Sequence, residues 1–121
     1  MASKPVVYLY SKCSTCRDAS KWLRDNDAEF IEKPIRETPP SEEELRRMLA
    51  FQGGNIRRLF NTSGIEYRAQ KLAEKLPMMK ENDAIALLAK DGRLVKRPFV
   101  ITETFGLVGF DAEQWSAAFE R

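Results

Sequence analysis

Residues 6–17 read Val6-Val7-Tyr8-Leu9-Tyr10-Ser11-Lys12-Cys13-Ser14-Thr15-Cys16-Arg17. Val6 to Tyr10 is a short β-branched and aromatic run, the pattern of a buried strand. A Cys-x-x-Cys pair follows at once, and Ala19, Trp22 and Leu23 then recur at helical spacing as far as Asn26. A thiol at the start of a helix faces backbone N–H groups that have no acceptor within the helix, and the positive end of the helix dipole. Both favour the thiolate, which is the reactive form.

Working outward, Asp25-Asn26-Asp27 stops the helix and Glu29 to Lys33 reads as a second short strand. Strand, helix and strand within 35 residues make a right-handed βαβ unit with parallel strands. Thr38-Pro39-Pro40-Ser41 then breaks the chain, and Ser41 with Glu44 makes a capping box for a helix striped by Leu45, Met48 and Leu49. That helix ends near Gly53-Gly54. Asn55 to Phe60 suggests another helical turn or two, and Asn61 to Gly64 a loop. Tyr67 to Leu76 reads as a short helix stopped before Pro77, and a further helix runs from about Asn82 to a C-terminal capping Gly92.

Leu94 to Thr102 is a strand candidate in which Pro98, lacking an N–H, marks the start or an edge. Thr104-Phe105-Gly106 turns into a last strand at Leu107 to Phe110. Asp111 with Gln114 caps a terminal helix faced by Trp115, Ala118 and Phe119. The order βαβ, helices, ββα indicates an α/β fold: a thioredoxin-like mixed sheet with a helical insertion. The 121 residues form one domain, with its core at about 5–36 and 93–121 and the insertion at about 41–92.

Composition narrows the chemistry. The chain has two cysteines, no histidine and a net charge of +2. Two potential ligands do not make a four-ligand zinc site, and a Cys–His catalytic pair is excluded. The small charge gives no argument for direct nucleic-acid binding. Met1-Ala2-Ser3-Lys4-Pro5 has no apolar signal core, and no stretch is long enough to span a bilayer, so the expected location is the cytoplasm. In a reducing compartment a Cys-x-x-Cys pair points to catalysis, redox sensing or metal binding before a structural staple.

Three segments carry a family resemblance: Tyr10-Ser11-Lys12-Cys13-Ser14-Thr15-Cys16-Arg17, Asn55-Ile56-Arg57-Arg58-Leu59-Phe60-Asn61-Thr62 and Lys96-Arg97-Pro98-Phe99-Val100. Together they resemble the family of glutaredoxin-linked arsenate reductases, the redox regulator Spx and the YffB branch. The resemblance implies that Cys13 is the nucleophile, that Arg57 and Arg97 hold an oxyanion and favour the thiolate, and that Pro98 is a cis-proline opposite the active-site turn. It implies no bound cofactor and an external thiol reductant: glutathione, glutaredoxin or thioredoxin. Two positions depart from the arsenate reductases. Cys16 stands where those commonly carry serine, which resembles Spx, and Gly109 stands where they carry a third arginine, which resembles the Spx and YffB branches.

From the residues alone, Cys16 lies about one helical turn beyond Cys13, which supports Cys13 as the attacker and Cys16, or else an external thiol, as the resolving group. Ser14 and Thr15 supply amides and small hydroxyls suited to an anion. Lys12 and Arg17 flank the site, and Trp22, Trp115, Phe99 and Phe110 read as core. Met78-Met79 reads as packing or a flexible patch. The leading expectation is an arsenate reductase-like thiol-disulfide oxidoreductase acting on a small oxyanion or a thiol/disulfide substrate. The alternative, again from the resemblance, is an Spx-like redox-sensing regulator that binds the RNA polymerase α-subunit.

Overall fold

β1 (Val6–Leu9) is an inner strand of the sheet, and its alternating side chains explain the layers on either side. In this computed structural model, which describes residues 4–121, four strands lie in the order β2-β1-β3-β4. β2 (Ile31–Pro34) pairs parallel to β1, with Val6 opposite Ile31. β3 (Phe99–Ile101) pairs antiparallel to β1, and β4 (Gly106–Val108) antiparallel to β3. Residues 1–3 of the amino-terminal segment lie outside the described residues.

Successive strand residues point to opposite faces. Val7 and Leu9 of β1 and Val100 of β3 therefore meet α1 (Ser14–Asp25) and α6 (Ala112–Phe119) through Ala19, Leu23 and Trp115. Tyr8, Phe99 and Ile101 face the other way, onto α2 (Glu42–Phe51), α5 (Glu81–Lys90) and the segments between them. Each fully buried large side chain adds on the order of 1.5–3 kcal/mol. β1 and β3 are buried along most of their length and carry this energy, whereas Ile31 on edge strand β2 remains 46% exposed. The two faces make a three-layer, thioredoxin-like α/β structure with a helical block between β2 and β3. Among the described residues no helix is long and apolar enough to cross a membrane.

The capping box forms as the sequence indicates. Ser41 Oγ accepts from the Glu44 amide at 3.1 Å and Glu44 Oε1 accepts from the Ser41 amide at 3.0 Å. The same carboxylate oxygen accepts the buried Tyr8 hydroxyl at 2.6 Å, which ties α2 to β1. Burial, followed by this hydrogen bond and the Glu44 charge, raises the Tyr8 pKa well above its ordinary value. At α6, Asp111 accepts from the amides of both Glu113 and Gln114.

Three expectations change. The helix expected at Tyr67 to Leu76 is two pieces, α3 (Ile65–Ala69) and α4 (Leu72–Lys75), divided at Lys71 in the left-handed conformation (φ 53°). In a continuous helix Leu72 would point about 140° away from Tyr67. The break lets both be buried, and Pro77 sits early in the 3-10 turn Leu76–Met78, where its missing N–H costs nothing. The long strand expected from Leu94 is β3 alone, beginning just after Pro98. Leu94 ends the 3-10 turn Gly92–Leu94, and Val95 makes an isolated bridge to Phe60. Gly92 does not cap α5, whose C-cap is Asp91.

Gly92 is instead a close-approach glycine. A Cβ there would lie 1.9 Å from the Ile35 carbonyl oxygen, a backbone atom that cannot swing away. Gly92→Ala is therefore expected to destabilise the fold by about 3 kcal/mol or more. Urea unfolding measures this, and a loss below about 1 kcal/mol would contradict the packing described.

Candidate functional site

The turn between β1 and α1 builds the site from its backbone. Cys13 donates its amide to the Tyr10 carbonyl at 3.1 Å, which closes the turn and places Cys13 as the N-cap of α1, in extended conformation (φ −109°, ψ 121°). N-cap positions favour side chains that accept from the first turn of the helix. Cys13 Sγ does this, accepting from the Cys16 amide at 3.4 Å. Ser14 and Thr15, exposed, begin the helix, so their N–H groups have no intrahelical acceptor. No acidic residue occupies the first turn to oppose an anion there.

The two thiols differ by environment. Cys13 is partly exposed, while Cys16 is 2% exposed beneath it, its Sγ accepting from the Tyr10 amide at 3.5 Å. Burial pushes the Cys13 thiol up, but the hydrogen bonds from Cys16 and Arg97, together with the Arg97 charge, outweigh it and leave Cys13 below the ordinary thiol value. Cys16 is pushed up to about 12, first by burial and then by the neighbouring Cys13 sulfur, against the lowering effect of the Tyr10 amide. Cys13 is thus the more readily ionised thiol of the pair, and Cys16 the protonated reserve.

Arg97 and Pro98 arrive from the strand opposite. The Arg97–Pro98 peptide bond is cis, Pro98 is buried, and its carbonyl accepts the Gly109 amide at 2.9 Å. The Arg97 guanidinium lies 5.0 Å from the Tyr10 ring centroid, and its charge favours the ionised form of Cys13. Its Nη1 is buried with no hydrogen-bond partner among the described residues. Buried donors are paired in nearly all native structures, so this unpartnered guanidinium nitrogen near the thiol is a candidate anion-binding position.

The other expected residues are placed differently. Arg57 is exposed and lines a separate depression of about 320 Å³ with Asn55, Arg58, Thr62 and Lys96. Arg17 donates to the Ser11 carbonyl at 3.4 Å. Gly109 has φ 76°, and a Cβ there would meet Lys96 Cε at 3.4 Å. Trp115 and Phe99 are core as expected, Trp22 and Phe110 pack at its margin, and Met78 is 89% exposed while Met79 is half-buried.

The sequence alone does not bring out Tyr10 and Arg36. Arg36 follows β2 and stacks over the Tyr10 ring, with its Cζ 4.0 Å from the centroid. A signal was available: β1 and β2 are parallel, so the loops leaving their carboxyl ends share one edge of the sheet, where open α/β sheets bind ligands.

The family model of the ArsC family matches residues 8–118 of this chain. YusI of Bacillus subtilis is 44% identical over 108 residues, covering 89% of this chain and 92% of YusI. The global transcriptional regulator Spx of Streptococcus pyogenes is 28% identical over 115 residues, or 95% of this chain and 84% of Spx. Among solved structures, an ArsC-family-related protein from Bacteroides fragilis superimposes with a TM-score of 0.90 at 45% identity, covering 97% of this chain and 98% of its own. A possible arsenate reductase from Streptococcus mutans gives 0.85 at 35% identity, covering 94% and 98%.

The thiol asymmetry is directly measurable. Iodoacetamide should modify Cys13 with a pH midpoint below the free-thiol value of about 8.5, because a lowered pKa leaves the thiolate present at lower pH. Arg97→Gln removes a donor and a positive charge, so its midpoint moves upward. An unchanged midpoint in Arg97→Gln would show that Arg97 does not act on the thiol.

Proposed function

Because this chain belongs to the ArsC family, we propose that it is an arsenate reductase-like thiol-disulfide oxidoreductase that works through Cys13. The observation that carries this reading is the capped, partly exposed Cys13 thiolate beside an arginine with an unpaired buried nitrogen. The Cys13 thiolate attacks one sulfur of a disulfide substrate. A Cys13–S bond forms, the substrate S–S bond breaks, and its electron pair leaves on the second sulfur, which takes a proton from solvent. Cys16 then gives up its proton and attacks Cys13 Sγ, releasing the second half of the substrate as a thiolate and closing a Cys13–Cys16 disulfide. An external thiol, whether glutathione, glutaredoxin or thioredoxin, reduces that disulfide and is itself oxidised. Such a cycle suits the reducing cytoplasm.

The geometry supports a disulfide over arsenate. A small tetrahedral oxyanion is best held by several cations that converge on the thiol. Here Arg97 is the one cation among the described residues that acts on Cys13, Arg57 lines a different depression, and Gly109 supplies no side chain.

The Spx relative, spanning 95% of this chain, supports a second reading: a regulator that docks on the RNA polymerase α-subunit and reads the state of Cys13 and Cys16. Capture of the purified α-subunit carboxyl-terminal domain by the oxidised protein, and not by a Cys13→Ser, Cys16→Ser variant, would favour it. For the leading reading, Cys13→Ser should reduce disulfide turnover to background. Cys16→Ser should instead accumulate a stable mixed disulfide at Cys13, seen as added mass. Undiminished turnover in Cys13→Ser would end the proposal.

A further inference from the structure

We propose that Arg36 is a specificity-determining residue that selects anionic, carboxylate-bearing disulfides at Cys13. This rests on Cys13 as the attacking thiolate and names the substrate class for it. Tyr10 is the structural link. Its backbone binds both cysteines, donating to Cys16 Sγ and accepting from the Cys13 amide. Its ring carries two guanidinium groups, Arg36 at 4.0 Å and Arg97 at 5.0 Å from the centroid. Stacking on an aromatic ring restricts two long side chains that would otherwise lose rotamer freedom on binding a ligand.

Both arginines line one cavity of about 480 Å³, together with Asn61, Ser63, Glu66 and Arg93. The charges in and around it do not cancel. Arg93 engages both nearby acids: its Nη1 donates to Glu66 Oε1 at 3.0 Å, and its Nη2 and Nε donate to the two oxygens of Asp91 at 2.8 and 3.0 Å. Asp91 feels the charge of Arg36, but both of its oxygens are already held by Arg93. Arg36 itself forms no ion pair with a carboxylate among the described residues.

The chemistry then selects by charge. Before reaction the Cys13 thiolate balances Arg97. When Cys13 joins the substrate sulfur, its negative charge departs with the leaving thiolate. Arg97 near the sulfur, and Arg36 on the same Tyr10 ring, are then left without that counter-ion. A carboxylate carried on the bound half restores the balance, and guanidinium grips it in bidentate fashion. A neutral adduct does not restore it, and a cationic one is repelled.

The test uses the pre-reduced full chain in single turnover. Loss of the free Cys13 thiol is followed by acid quench and mass spectrometry. The probes are oxidised glutathione (anionic), hydroxyethyl disulfide (neutral) and cystamine (cationic). Wild type should react fastest with oxidised glutathione. Arg36→Gln should slow that reaction about fivefold, the scale of one exposed charge pair. It should leave hydroxyethyl disulfide within about twofold and accelerate cystamine, and added salt should shrink the wild-type preference. An equal effect of Arg36→Gln on all three probes, or no effect on any, overturns the inference. If wild-type Cys13 reacts with none of the three, the reductase reading fails instead, and the iodoacetamide profile of the same protein shows whether the thiolate is present.

Discussion

The hydrogen bond from the Cys16 amide to Cys13 Sγ is the interaction on which the remainder depends. It starts α1, and a helix cap contributes about 1 kcal/mol when a serine or aspartate supplies it. With sulfur in that role, the same bond also lowers the proton affinity of the thiol. A charged acceptor makes a stronger hydrogen bond than a neutral one, so ionising Cys13 tightens the cap. Structure and reactivity therefore share one atom, and neither can be altered without the other.

The order of the two thiols follows from depth. Three residues along α1 carry the chain from its exposed first turn to the buried face that packs on Val7, Leu9 and Leu23. Cys16 loses solvent there, and burial is the main reason that its proton is held so firmly. Ionisation of Cys13 discourages a second charge beside it, so the two thiols lose their protons in sequence, Cys13 first. Tyr10 spaces the pair by binding each cysteine through a different backbone atom.

Local signals in the chain were legible because local physics sets them. Ser41 and Glu44 cap α2, Asp111 caps α6, and Pro98 falls just before β3. The unbroken apolar run of Val7, Tyr8 and Leu9 marked β1 as a buried strand for the same reason. The features that escaped are contacts between distant segments. Lys71 breaks a helix so that Leu72 and Tyr67 can share a core, and Gly92 yields space to the Ile35 carbonyl. Arg36 is an ordinary loop arginine until parallel pairing of β1 and β2 brings it over Tyr10. The family resemblance implied the same role at the thiol for Arg57 and Arg97, whereas the structure sets Arg97 near Cys13 and Arg57 along a different depression.

Gly109 shows why the distribution of cations matters more than their number. Its positive φ disfavours any residue with a Cβ, while Lys96 Cε would lie at ordinary contact distance, 3.4 Å, from a Cβ there. The strand end therefore adds no charge of its own toward the thiol. The cations gather in two groups: Arg97 with Arg36 on the Tyr10 ring, and Arg57, Arg58 and Lys96 around a second depression. A compact oxyanion can satisfy one such group and gains little from the other. A longer substrate that places its sulfur at Cys13 and a carboxylate near Arg36 uses the first group fully. The extended anionic disulfide proposed above fits this spread of charge, at the ring of the residue whose backbone holds the two cysteines.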